Sequence, residues 1–204
     1  EWFTISSIDV GLEGDVMAMA ISNDANFLYA GTFEGRLYRI SNIALAYDYA
    51  RADVESPYCV IATAEIELID PATGLPNTQT ITSIAVDPQD PNTVVVTCGN
   101  YGNSNYVYAS ANGTADNASF QSIQGGLPQM PVYSSLIEMS TGMCIIGTEM
   151  GVYECQDIGA GTIVWNPSQG ITGKVPVYDL VQQVVRQPEI NIPYWDGVDT
   201  TIVT

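Results

Sequence analysis

The amino-acid sequence predicts an all-β chain assembled from consecutive four-stranded antiparallel sheets, and three observations carry that expectation. The first is a set of short runs rich in Ile, Val and Thr, each cut off by turn residues. Ile81–Val86 alternates and stops at Asp87-Pro88-Gln89-Asp90-Pro91-Asn92, where two prolines and three Asp or Asn residues bar continuation and favour a tight turn. Residues 93–98 are β-branched and too short for a helix, and the Gly/Asn cluster at 99–105 ends them before Tyr106-Val107-Tyr108 resumes. The second is a phrase that occurs twice, Gly31-Thr32-Phe33-Glu34-Gly35 and Gly147-Thr148-Glu149-Met150-Gly151. Each copy places a glycine third in a three-residue loop, which suits a type I turn followed by a left-handed residue. The third is a wider repeat: Met19-Ala20-Ile21-Ser22, Ile84-Ala85-Val86-Asp87 and Leu136-Ile137-Glu138 each precede a turn and then a strand ending near Gly31, Gly99 and Gly147.

Taken in order, Trp2-Phe3-Thr4-Ile5 reads as a strand running to a Gly-rich turn at 11–14. Residues 15–22 form a short apolar strand, broken by Asn23-Asp24-Ala25-Asn26 before 27–31 resumes. The interval from Gly31 to Gly99 is 68 residues and that from Gly99 to Gly147 is 48, so an insertion falls within 41–76. Inside it, residues 43–54 read as a helical turn or an irregular loop, and 60–69 as a strand. Pro131-Val132-Tyr133 recurs as Pro176-Val177-Tyr178 and opens a fourth unit. Sheet repeats of about 40 to 50 residues with four strands each are the signature of a β-propeller. The expected architecture is therefore a partial β-propeller of about three four-stranded antiparallel blades, 1–76, 77–128 and 129–173, plus the start of a fourth at 174–204. The alternative of a β-sandwich is disfavoured because sandwiches seldom repeat turn phrases in register. Three and a half blades leave apolar faces and unpaired edges open, so residues 1–204 are expected to need further blades of the same polypeptide or another subunit.

Composition narrows the function. Of 204 residues, 46% are apolar, enough for a buried core, while 23 acidic side chains stand against 5 basic ones, with no histidine. A net charge of −18 repels phosphate backbones and anionic lipid, which argues against nucleic-acid partners. No apolar run reaches the roughly 18 to 20 residues of a membrane span, so direct membrane insertion is not expected. Without histidine, Ser/His and Cys/His nucleophile pairs are excluded within the chain. Cys59, Cys98, Cys144 and Cys155 lack the CxxC spacing of a zinc site and are expected as buried free thiols. No metal and no cofactor is expected. If Glu149-Met150-Gly151 is a three-residue loop, Thr148 pairs with Val152, Ile145 lies opposite Cys155, and Cys144 and Cys155 point to opposite faces.

Several phrases, in this order, resemble the BNR/sortilin-like propellers. They are Ile84-Ala85-Val86-Asp87-Pro88 followed by Asp90-Pro91-Asn92-Thr93-Val94, then Val107-Tyr108-Ala109-Ser110-Ala111-Asn112-Gly113 with Phe120 and Gly126-Leu127-Pro128, and finally Trp165-Asn166-Pro167 before Val175-Pro176-Val177-Tyr178-Asp179-Leu180. The Asp-box turn of that family departs here: Ser110-x-Asn112-Gly113 keeps the frame, Asn stands where Asp is usual, and Phe120 stands for the usual Trp. The resemblance implies large exported proteins of Bacteroidetes-type bacteria, some of them type 9 secretion cargo, and an extracellular or outer-surface location.

Two functional classes follow. In the first, the blades are a non-catalytic interaction scaffold whose loops hold a protein or glycan partner, and Tyr47, Tyr49, Tyr101 and Tyr106 are the candidate contact residues. In the second, the chain is part of a glycoside hydrolase propeller with paired carboxylates, drawn from Asp15, Asp24, Asp87, Asp90 and Asp179. The interaction class is favoured, because Asp87 and Asp90 have the simpler task of bonding turn amides and four scattered arginines do not form a carboxylate-binding cluster. No catalytic residue is assigned.

Overall fold

The computed structural model describes residues 5–7, 9, 11–50, 53, 59–168 and 174–183, together with the backbone of two further strands at 192–195 and 200–203. The strand expected at 2–5 lies almost wholly outside them. Three four-stranded antiparallel sheets follow one another along the chain, each with its strands side by side in sequence order. Sheet 1 holds β1 (Val16–Ile21), β2 (Phe27–Thr32), β3 (Leu37–Ser41) and β4 (Ala62–Ile66). Sheet 2 holds β5 (Ile81–Val86), β6 (Val94–Cys98), β7 (Val107–Ser110) and the two-residue β8 (Gln121–Ser122). Sheet 3 holds β9 (Val132–Ile137), β10 (Cys144–Thr148), β11 (Gly151–Cys155) and β12 (Asn166–Pro167). A separate hairpin pairs β13 (Ile192–Trp195) with β14 (Thr200–Val203). The insertion between β3 and β4 contains a 3-10 helix over Ile43–Asp48, entered through Asn42 in the left-handed region at φ 64°.

The first strand of every sheet is built alike. β1, β5 and β9 each pair with the next strand through a ladder that slips by one residue at its second position, so Met17, Thr82 and Tyr133 are the bulged residues. The ladders set Gly31 and Gly147 opposite Ala18 and Ser134, and Thr97 opposite Ser83. Gly99, which the sequence aligns with Gly31 and Gly147, therefore lies two residues beyond the equivalent place. The reason for glycine at the other two positions is close approach. A Cβ on Gly31 would lie 2.7 Å from Cβ of Ile81 and overlap its Cγ2, and one on Gly147 would lie 2.6 Å from the carbonyl oxygen of Val177. Ile81 opens β5, so Val177 stands to sheet 3 as Ile81 stands to sheet 1.

Apolar contacts fill the spaces between sheets. Tyr29, Leu37 and Ile66 of sheet 1 meet Ile81, Ile84, Val94, Val96 and Tyr108 of sheet 2 in one core. On the other side of sheet 2, Ala85, Val95 and Val107 meet Val132, Ile137, Cys144 and Ile146. Trp165 reaches back from sheet 3 and donates its indole N–H to the Ile123 carbonyl at 2.8 Å. Polar links tie the sheets as well. The Thr82 hydroxyl donates to the Val132 carbonyl at 2.6 Å, and Ser83 Oγ accepts the Ser135 amide at 3.1 Å. Arg39, 4% exposed, crosses from β3 to the turn after β7, where its guanidinium donates to the Gly113 carbonyl at 2.8 Å and to the Ala115 carbonyl.

One expected register is corrected. In the first hairpin the Thr32 amide bonds the Arg36 carbonyl across a three-residue loop, as the phrase suggests. In the second copy Thr148 pairs with Gly151, leaving only Glu149 and Met150 in the loop. The Thr148 hydroxyl accepts the Met150 amide at 3.1 Å and donates to the Gly151 carbonyl at 2.8 Å, closing the turn one residue early. Cys144 and Cys155 are consequently direct cross-strand partners on one face, not on opposite faces, and both carry buried free thiols.

Candidate functional site

In an antiparallel sheet whose strands lie in sequence order, the entry to the first strand and the connection from second to third share one end. Hydrogen bonds at that end join the Phe33 amide to the Asp15 carbonyl, the Glu149 amide to the Pro131 carbonyl, and the Thr80 hydroxyl to the Phe33 carbonyl. The same end gathers tyrosines. Asn100 takes a left-handed φ of 68°, which an Asn tolerates, and turns the chain so that Tyr101 sits exposed at the tip between β6 and β7. Tyr133, at the bulge of β9, donates its hydroxyl to Glu149 Oε2 on the β10–β11 loop. Its ring lies 4.8 Å from that of Tyr178, tilted by 44°. Tyr178 is exposed and held in place by its neighbour, since the Val177 amide donates to the Thr148 carbonyl at 2.9 Å.

Two tyrosines, Tyr101 and Tyr133, thus border one carboxylate, and Tyr178 packs on Tyr133. Desolvation, with the charge of Glu149 beside it, raises the pKa of both the Tyr101 and Tyr133 phenols above the ordinary value. Both stay protonated and able to donate at neutral pH. Exposed Phe33 and Met150, on the β2–β3 and β10–β11 loops, extend the apolar surface of this end. Glu13, Asp15 and Glu34 add carboxylates there, with Arg36 paired to Glu13 at 2.6 Å.

The sequence-named tyrosines divide. Tyr101 belongs to the cluster. Tyr106 is 1% exposed, with its hydroxyl accepting the Asn103 amide at 3.1 Å, so it is a core residue that shapes the Tyr101 loop and offers no surface contact. Tyr47 and Tyr49 stand at the opposite end, in the β3–β4 insertion. Tyr47 is exposed, whereas Tyr49 is half-buried and accepts the Val60 amide at 3.1 Å, fastening the insertion. Residues 133, 149 and 178 were not among the candidates. The repeated Pro-Val-Tyr phrase was the available signal, because equivalent positions in consecutive units become neighbours.

None of the candidate acids in the β1–β2 and β5–β6 turns faces Asp15. Asp24, Asp87 and Asp90 lie in the β1–β2 and β5–β6 turns, a strand length of about 17–20 Å from Asp15 at the other end, and glycosidase carboxyls stand only about 5 to 10 Å apart. Asp24 accepts the Ser22 hydroxyl at 2.5 Å and the Asn26 amide at 3.1 Å, and the same kind of bonds hold Asp90 to Asn92 and Thr93. The Ser22 hydroxyl leads in lowering the Asp24 pKa, and for Asp90 these bonds overcome its desolvation and lower it too. Asp179 is exposed next to Tyr178. The Asp-box position is filled by Asn112, whose side-chain oxygen accepts the Ser119 amide at 3.0 Å while its amide nitrogen bonds the Asn117 carbonyl. Among the described residues no three His, Cys, Asp or Glu side chains cluster to hold a metal.

Among solved structures the chain is similar to the β-propeller domain of Cps50 (Swd1) from Myceliophteria thermophila, at 12% identity and TM-score 0.50, over 76% of this chain and 39% of that one. It is also similar to the GH74 enzyme of Niastella koreensis, at 17% identity and TM-score 0.50, covering 72% of this chain and 22% of the other. The GH74 xyloglucanase of Xanthomonas campestris aligns at 18% identity and TM-score 0.50, over 79% and 22%. The three sheets are blades of a β-propeller. The chain spans about two fifths or less of these propeller proteins. No protein-family model and no curated protein matches it.

Proposed function

We propose that this chain is part of a non-catalytic interaction module, a propeller of the BNR/sortilin-like kind in a secreted or cell-surface bacterial protein. It binds a protein or glycan through the loops at its tyrosine end. The observation that carries the reading is the cluster of exposed Tyr101 and Tyr178 around Tyr133 and Glu149. Amphipathic rings with a polar tip are the side chains that contribute most to recognition surfaces, and here they converge from two blades and the segment after the third. Asp24 and Asp90 also support it: both fasten turns through bonds that lower their pKa, and a general acid needs its pKa raised.

The test uses the full-length protein on a glycan array, a peptide array and a panel of chromogenic glycosides. Binding that disappears in Tyr101→Ala or Tyr178→Ala, with no turnover, is the expected result. Hydrolysis abolished by Asp15→Asn, Asp24→Asn, Asp87→Asn, Asp90→Asn or Asp179→Asn would overturn the proposal in favour of a glycoside hydrolase.

A further inference from the structure

Resting on that reading, we infer that the tyrosine end recognises a basic segment of a protein partner, with Arg or Lys side chains laid on the exposed rings of Tyr101 and Tyr178 and paired with Glu149. Two features of the surface select cations. Tyrosine faces attract a guanidinium or ammonium through the ring quadrupole, and a carboxylate beside the rings completes the pairing with charge-assisted hydrogen bonds. Glu149 supplies that carboxylate, half-buried among the tyrosines, and its Oε2 is the atom that Tyr133 steadies. The wider end bears Glu13, Asp15 and Glu34, and Arg36 there is already engaged with Glu13 at 2.6 Å, while exposed Lys174 precedes Tyr178 by four residues.

Whole-molecule charge points the same way. With 23 acidic against 5 basic side chains, one of the latter being the buried Arg39, the chain attracts basic partners and repels acidic ones over a Debye length. A neutral glycan also stacks on tyrosine but draws nothing from this field. An anionic glycan is opposed by it. Arg suits the site better than Lys, since a planar fork both stacks on a ring and spans a carboxylate.

The experiment is fluorescence anisotropy on the full-length protein with dye-labelled decapeptides of alternating Gly-Arg, Gly-Lys, Gly-Ser and Gly-Glu, and with cellohexaose as competitor. The Gly-Arg peptide is expected to bind more tightly than Gly-Lys, and both more than Gly-Ser. Its affinity should fall about tenfold or more between low and roughly 0.5 M salt. Glu149→Gln, which keeps an acceptor for Tyr133, and Tyr178→Ala should each weaken it about fivefold or more. Asp48→Asn removes the same charge at the opposite end and should change little. Equal binding of Gly-Ser or Gly-Glu, no binding of Gly-Arg, or an unaltered Glu149→Gln variant would overturn the inference. Should cellohexaose bind through Tyr178 while Gly-Arg does not, the basic partner is refuted and the interaction module stands. Cleavage of glycosides with no peptide binding would overturn both.

Discussion

Replacing Arg39 with Ala should be among the most damaging single changes in the described part of the chain. Its guanidinium is the cross-blade clamp: it reaches the turn after β7 and donates to the Gly113 carbonyl at 2.8 Å, in a buried position, and to the part-buried Ala115 carbonyl. It also lies 5.9 Å from the centroid of the Phe27 ring. A hydrogen bond to a charged donor contributes about 1.5–3 kcal/mol, and a buried carbonyl left alone incurs the full desolvation cost. Taking the upper figure for Gly113, the lower for Ala115 and about 0.5 kcal/mol for the ring contact gives a loss of about 5 kcal/mol. Arg39→Lys keeps the charge but not the fork, so about half of that loss is expected. Asp116 lies 3.8 Å from the guanidinium and is fully exposed, so the pair is screened and Asp116→Ala should leave stability unchanged. Equilibrium urea unfolding followed by circular dichroism and tryptophan fluorescence measures all three. A loss under about 1 kcal/mol for Arg39→Ala, or an equal loss for Asp116→Ala, would refute the argument that the carbonyl contacts hold the blades together.

Gly31→Ala should destabilise by about 1–3 kcal/mol, because the new methyl group overlaps Ile81 of the next blade. Combining it with Ile81→Ala, which removes the overlapping Cγ2, should cost less than the sum of the two single changes in the same unfolding assay, and full additivity would place the strain elsewhere. Glu138 accepts bonds from Thr141 and from Ser140, whose hydroxyls and amides lower its pKa to about 2. A folded-state pKa below the unfolded value means that its contribution is present above about pH 4.5 and lost as pH falls through about 2. Carbon-detected NMR titration should therefore place its midpoint well below those of exposed glutamates, and Thr141→Val should raise it.

Strand placement was legible because β-branched runs and turn residues act locally. Ile81–Val86, Val94–Cys98 and Cys144–Thr148 sit within a residue or two of where the sequence put them. Register was not. One phrase makes a three-residue loop after Thr32 and a two-residue loop after Thr148, and the difference lies in how each threonine hydroxyl is bonded, which the order of residues does not encode. Gly99 invited alignment with Gly31 by identity alone, although the residue that meets the ladder there is Thr97. At the site, the Gly/Asn run exposed Tyr101 to view, while Tyr106 is buried in the core that sheet 2 shares with sheet 3. In the sequence, Glu149 stands only as one residue of a turn. Its meaning comes from Tyr133 and Tyr178, 45 residues apart in sequence and stacked in space.

Sheet 2 is packed on both faces, and all five residues of β6 are buried, whereas β1 leaves Met17, Met19 and Ile21 more than half exposed. The backbone of such a molecule does not loosen evenly. Where that face of β1 is open, β1 can lift from sheet 1 while exposing little additional apolar surface, and its amides meet water through small local openings, a route that a blade seated on it would close. The amides of β6 meet water only when both flanking cores come apart, which is the opening that takes the whole fold with it.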